Sequence, residues 1–129
     1  MISPDLQFSI LCDDVRQEIN GKFIFIGLFE TISSASYPVV HPRFFIVNRW
    51  SNGQGRYNQK VRIVLSSDNS VIIDNKAIEF ELIDLDKTHT VISGFNNVLF
   101  PKAGKYWIEN YLGDRLIRSY SLILSKRQK

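Results

Sequence analysis

Hydrophobic residues alternate with polar ones along much of this chain. Ile78, Phe80 and Leu82 are separated by single glutamates, and the segment 58–66 repeats the pattern with basic residues at the intervening positions. A two-residue period places such side chains on one face of a β-strand. No window of eleven or more residues carries an apolar stripe at helical spacing. The sequence therefore predicts an all-β protein with no substantial helix.

Turn signals divide the chain into about eight short strands. The strongest is Asn20-Gly21, because a type I′ hairpin needs positive φ at both central residues. The run that follows it, 23–29, is apolar on both faces and is predicted to lie centrally, with the Ser-rich connection 31–42 as a cover on one side. Such a series of strands predicts an antiparallel, immunoglobulin-like β-sandwich. Parallel sheets are excluded, because no crossover helix is present.

The turn at 113–114 predicts a C-terminal hairpin whose register has two alternatives. A two-residue turn places Leu112 opposite Arg115 and pairs Glu109 with Arg118, which matches the charges. This register conflicts with the simplest set of inward-pointing residues, so a bulge or a longer turn stays possible. That inward set is Tyr106, Ile108, Leu122 and Leu124.

The length of 129 residues suits one domain, which we predict to span residues 1–125, followed by a disordered basic tail at 126–129. Hydrophobic residues make up 44% and charged residues 22% of the chain, as in a globular protein. The single cysteine, Cys12, excludes an internal disulfide framework. Because no secretory signal or membrane-length apolar stretch is found, a cytoplasmic location without membrane contact is expected.

The charge is unevenly distributed along the chain. The formal net charge is +3, but three cations lie in the last four residues, leaving 13 basic residues against 13 acidic ones. The segment 31–67 carries five cations and no carboxylate, and the segment 68–86 carries six carboxylates and one lysine. Neighbouring strands could pair these charges, or the polar surface could bind an anionic partner or a second copy of the chain. A general nucleic-acid-binding surface is not indicated.

The sequence offers no constellation of catalytic or metal-binding residues. His41 and His89 lie in different predicted turns without a second ligand at metal-binding spacing. Asp84 and Asp86 lack the ligand count and the glycine of a calcium loop. No serine has a neighbouring base, and Cys12 has no histidine near it. We therefore expect no enzymatic activity, no cofactor and no metal.

Aromatic residues beside arginines form the candidate binding surface. Arg and aromatic side chains together can stack on bases or sugars and contact phosphates. The alternative is that most of these rings lie in the core or cover a sheet. The candidates are Arg49, Trp50, Arg56 and Tyr57 around the loop 51–56, and Trp107 and Tyr111 on one face of a later strand.

Several short motifs, spread over nearly the whole chain, resemble a family of small, single-domain bacterial proteins of unknown function. The resemblance implies an immunoglobulin-like β-sandwich and brings no activity, substrate or cofactor with it. The motifs are Leu11-Cys12-Asp13-Asp14-Val15-Arg16-Gln17-Glu18, Asn20-Gly21-Lys22, Ile26-Gly27-Leu28-Phe29, Tyr37-Pro38 and Ala103-Gly104-Lys105-Tyr106.

Taken together, these features predict a non-enzymatic module that binds another protein, or a second copy of itself, through a sheet face or an edge strand. The alternative is a ligand-binding sandwich that holds an anionic, carbohydrate or single-stranded nucleic-acid ligand with its aromatics and arginines. The two hypotheses differ in whether the candidate rings are exposed.

Overall fold

Ten β-strands form two sheets around a shared core in the computed structural model, which describes residues 2–128. The four-stranded sheet has the order β2-β1-β4-β8, and the six-stranded sheet has the order β3-β10-β9-β5-β6, with β7 also paired to β5. Over the described residues there is no helix, so the all-β prediction is confirmed, and no helix could cross a membrane. The strands are β1 (Asp5–Gln17), β2 (Phe23–Leu28), β3 (Thr31–Ser34), β4 (Val39–Ser51), β5 (Gly55–Leu65), β6 (Val71–Asp74), β7 (Ile78–Leu82), β8 (His89–Phe100), β9 (Gly104–Leu112) and β10 (Arg115–Lys126).

The segment 31–42 differs from the prediction, since it is not a covering loop. It contains β3 and the start of β4, and β3 pairs in parallel with the end of β10, with Leu124 opposite Ile32. The prediction of an antiparallel sandwich was therefore wrong for this one pair of strands, while the other strand pairs are antiparallel. The crossover argument applies to parallel strands that follow one another in the chain, whereas β3 and β10 lie far apart in sequence.

Lys126 also departs from the prediction of a disordered tail. It pairs with Ser34 in β10, and the Arg127 backbone N–H donates to the Ser34 carbonyl at 3.0 Å. Lys129 lies outside the described residues. The end of the domain is therefore fixed by main-chain hydrogen bonds to β3.

The C-terminal hairpin combines the two alternatives that the sequence left open. Leu112 lies opposite Arg115, as a two-residue turn requires, but the register shifts between Leu116 and Arg118. This bulge moves Arg118 opposite Asn110 rather than Glu109. As a result, the four residues of the expected inward set are all buried.

A layer of buried polar side chains separates two hydrophobic clusters between the sheets. The Asn48 side-chain amide donates to Gln59 and to Asn110, each at 2.9 Å, and the Trp50 indole N–H donates to Gln59 at 3.0 Å. One cluster is built around Phe44 and Tyr106, and the other around Trp50, Tyr57 and Phe80. Buried amides are stable where they bond to one another, so this layer fixes how the two sheets face each other.

Candidate functional site

The β-hairpin of residues 13–28, hereafter the outer hairpin, folds back over the outer face of the four-stranded sheet. Val15 pairs with Phe25, and Phe8 precedes Val15 by seven residues on the same strand. In a straight strand, seven residues span about 23 Å. The rings of Phe8 and Phe25 are nevertheless only 6.1 Å apart, centroid to centroid. The ribbon must therefore bend sharply after Cys12.

The inner side of the outer hairpin covers this sheet. Phe23 stacks on Phe25, which meets Phe8 edge to face, and the Arg49 guanidinium lies 5.1 Å from the Phe8 ring centroid. Val47 belongs to the outer face of β4, yet it is fully buried. The expectation that the run 23–29 lies centrally was wrong, since β2 is an edge strand. β2 is apolar on both faces because one face, with Phe23 and Phe25, packs on the four-stranded sheet, while the other points outward.

Gly27 and Asp13 mark the bend. Gly27 has a φ of 71°, and a Cβ atom at that position would collide with the Asp13 carboxylate. The next residue, Asp14, accepts hydrogen bonds from Arg16 at 2.8 Å and from Arg43 at 3.1 Å. The hydrogen bond from Arg16 is the main cause that lowers the pKa of Asp14. A glycine in the left-handed region and an ion-paired aspartate therefore hold the ribbon in its folded-back position.

On the outward side of the outer hairpin, the β2 half is apolar and exposed, whereas the β1 half carries Asp14 and Arg16 opposite Ile26 and Ile24. Ile24, Ile26 and Leu28 are 43%, 45% and 63% exposed. Among the described residues, β2 pairs with β1 only, so its other edge is unpaired. No charged residue lies within β2, but Lys22 precedes it and Glu30 follows it, both exposed. An uncharged, apolar edge strand is what soluble proteins ordinarily avoid unless another chain binds there.

The structure places two of the predicted binding residues in the core. Trp50 is fully buried and stacks on Phe80, and its indole N–H is satisfied by Gln59. Tyr57 is also buried, contacts the same Phe80 ring, and donates its hydroxyl to the Ile2 carbonyl. Both rings face the opposite sheet because β4 and β5 alternate strictly there, so neither contributes to a surface.

The two predicted arginines lie apart from each other. Arg49 is on the outer face of β4, where it donates to the Thr90 hydroxyl at 3.0 Å beside Phe8. Arg56 is exposed on β5 and pairs with Glu79 at 3.0 Å. The predicted surface around the loop 51–56 is therefore not assembled.

Trp107 and Tyr111 do share one face, the outer face of the six-stranded sheet. Both are half-buried, and Lys105 lies 4.4 Å from the Trp107 ring centroid. Lys60 approaches the Tyr111 ring at 5.5 Å. These two residues are the part of the predicted set that the structure brings together on a surface.

The charges on this face are arranged in pairs between strands. Arg62 lies 3.4 Å from Glu109, and Arg56 also approaches Glu81 at 4.0 Å. A further pair joins Lys60 to Asp74 at 3.2 Å. Neighbouring strands therefore pair the charges of the basic and acidic segments, which was one of the two predicted alternatives, because β7 lies beside residues 55–59 and β6 beside residues 62–64.

The two histidines do not meet. His41 lies between the rings of Phe29 and Phe44, where burial lowers its pKa. His89 stacks on Phe80 at the other end of the strand pair. Within residues 2–128, no group of three or more His, Cys, Asp or Glu side chains is placed to hold a metal ion.

The structure thus defines a two-sheet β-domain with a row of exposed apolar side chains on an edge hairpin. The chain belongs to the family of unknown function DUF6941, whose model matches residues 7–125. No curated protein matches the sequence.

Proposed function

We propose that this protein is a non-enzymatic module that binds another protein chain, and that the outward side of the outer hairpin is the docking element. The observation that carries the proposal is the exposure of Ile24, Ile26 and Leu28 on an unpaired, uncharged edge strand. Covering these side chains removes apolar area from water, and the free backbone edge can accept a strand from the partner.

The other large surface contrasts with the outer hairpin. On the six-stranded sheet, the cations Lys60, Arg56 and Arg62 each have a carboxylate within 4.0 Å. Because these charges are already paired and hydrated, a protein that docked there would have to remove water from them without gaining new ion pairs. β2 itself carries no charged side chain that would have to lose water, which favours its edge as the interaction surface.

The experiment compares capture by the wild-type protein with capture by Ile26→Asp, with and without nuclease. Ile83→Asp is the matched control, because Ile83 is also an exposed isoleucine, at 71%, but lies outside the outer hairpin. We expect a stoichiometric protein, resistant to nuclease, to be lost with Ile26→Asp and retained with Ile83→Asp. Equal capture by both variants, with unchanged circular dichroism, would refute the proposal.

A ligand-binding role is the second candidate, and Trp107 with Tyr111 supports it. Because the surrounding cations are mostly paired with carboxylates, this face suits a neutral, stackable ligand such as a carbohydrate better than a phosphate. Trp50 is buried, so a ligand at this face should perturb the fluorescence of Trp107 alone. Titration of oligosaccharides against wild type and Trp107→Phe tests this role, and a signal that persists in Trp107→Phe would count against it.

The immunoglobulin-like type of the sandwich is also proposed. It is supported by the Tyr106 hydroxyl, which donates to the Lys102 carbonyl at 2.7 Å near the start of β9. A tyrosine bonded back to the chain a few residues upstream, at the start of the penultimate strand, is typical of such sandwiches. The parallel pairing of β3 with the last strand is compatible with this proposal. A cytoplasmic location stays a prediction.

A further inference from the structure

Two copies of the segment around β2, aligned antiparallel, are complementary in charge and in the position of their apolar residues. Lys22 lies four residues before Ile26, and Glu30 lies four residues after it. Between them the apolar residues Ile24 and Leu28 are placed symmetrically about Ile26. If two such strands pair antiparallel about a twofold axis at Ile26, each Lys22 lies opposite a Glu30.

We infer that the partner of the outer hairpin is a second copy of this chain, joined edge to edge through β2. This inference rests on the proposed function and names its partner. The pairing places Ile26 beside its own symmetry mate and Ile24 beside Leu28 on one face of the joined sheet, so that the apolar side chains of the two copies contact each other laterally. A contact that uses the same surface on both copies closes at two subunits.

Charge complementarity selects this register. A slip by two residues would move Lys22 and Glu30 away from each other and place charged residues against apolar ones. No charge lies within β2 to oppose the pairing, and both flanking charges are exposed and lack an ion-pair partner among the described residues. The edge is therefore neutral along its length and oppositely charged at its two ends, as a twofold pairing needs.

The test is a charge exchange read by sedimentation velocity over a wide concentration range. We expect wild type to dimerise, and Lys22→Glu and Glu30→Lys each to weaken the dimer by roughly five- to thirtyfold, since each change creates two like-charge contacts per dimer. An equimolar mixture of the two single variants should recover dimers, because unlike variants then have opposite charges at both ends. The double variant should recover them as well.

The control for the change in net charge is Lys76→Glu, because Lys76 is exposed and lies outside the outer hairpin. A further variant, Ile26→Asp, should give a monomer. A wild-type protein that stays monomeric overturns the inference, as does a dimer that neither charge change weakens. If the protein is monomeric but Ile26→Asp still abolishes capture of a different protein, the proposed function survives and only the second copy is excluded. If Ile26→Asp affects neither self-association nor capture, both fail.

Discussion

At the residue scale, the buried amide layer joins the two sheets by side-chain hydrogen bonds. Gln59 accepts hydrogen bonds from both Asn48 and Trp50 with one oxygen, and all three side chains are almost completely buried. A buried donor that loses its acceptor pays the full cost of its lost hydration. These residues therefore specify which positions of the two sheets face each other. Any other alignment would leave a buried donor or acceptor without its partner and would destabilise the fold.

We expect Gln59→Leu to lower the free energy of unfolding by about 1–3 kcal/mol, because the Trp50 indole N–H is left without an acceptor. Urea denaturation measures this change. Adding Trp50→Phe should cost less in the Gln59→Leu background than in wild type, since the orphaned donor is then gone. Strict additivity of the two changes would show that the hydrogen bond does not stabilise the core.

Tyr120 gives the fold a dependence on alkaline pH. Burial raises the pKa of Tyr120 to about 12, against an ordinary value of 10.0, and its hydroxyl bonds to Ser9 at 2.8 Å. The unfolded chain releases this proton more readily than the folded one, so stability is retained below about pH 10 and falls as the pH rises toward 12. We expect a loss of about 2 kcal/mol over this range.

Urea denaturation at pH 9 and pH 11.5 measures the effect, with Tyr120→Phe as the comparison. Burial also raises the pKa of Tyr37 and Tyr106, so part of the decline should remain in the variant. An identical decline in wild type and Tyr120→Phe would contradict the prediction.

At the scale of elements, the outer hairpin decides what the four-stranded sheet presents to its surroundings. Its inner side buries the face that contains Val47, and its outer side creates a new apolar surface at Ile24 and Ile26. The bend at Gly27 makes both possible. The same residues in a straight continuation of β1 and β2 would leave the sheet uncovered.

Gly27→Ala should therefore destabilise the protein by about 1–3 kcal/mol and loosen the outer hairpin, since it adds both a strained φ and a collision with Asp13. Gly113→Ala is the matched control, because Gly113 also has positive φ, at 58°, but has open space around it. Thermal unfolding and amide exchange of β2 give the readout. Equal effects of the two substitutions would show that crowding at the bend contributes nothing.

At the scale of the whole molecule, the two sheets carry different kinds of surface. The outer face of the six-stranded sheet carries paired charges and half-buried rings, whereas neither edge strand of the four-stranded sheet, β2 or β8, contains an Asp, Glu, Lys or Arg residue. If the domain associates with another chain, this asymmetry favours an edge of the four-stranded sheet over the outer face of the six-stranded sheet.

If two copies associate through β2, the melting temperature should rise with protein concentration, because association stabilises the folded state by mass action. Ile26→Asp should remove this dependence while leaving the melting temperature at low concentration nearly unchanged. Calorimetry at several concentrations measures both, and a melting temperature independent of concentration in wild type would argue against the dimer.

Local patterns in the sequence determined the all-β class, most strand positions and the inward set of the last hairpin. Alternation is a property of a few consecutive residues, and Gly113-Asp114 encodes its turn locally. The type I′ turn predicted at Asn20-Gly21 was wrong, because only Gly21 has positive φ and its N–H donates to the Glu18 carbonyl at 2.9 Å, which places Ile19 and Asn20 at the centre of the turn. The nearness of the basic and acidic segments was also predictable, because opposite charges on neighbouring strands attract. The apolar run 23–29 was also the sequence signal for the surface proposed here to bind a partner, since an apolar strand needs a cover on both sides.

Only the tertiary structure decided where each apolar face was buried. Trp50 and Arg49 are adjacent in sequence, but the register of β4 sends the ring into the core and the guanidinium to the outer face. The folding back of β2 depends on Asp13 meeting Gly27 and on Phe8 meeting Phe25, contacts between residues distant along the chain. Alternation of polar and apolar residues shows that a strand has two different faces. Which face becomes buried, and which element covers it, depends on contacts between residues that are distant in the sequence.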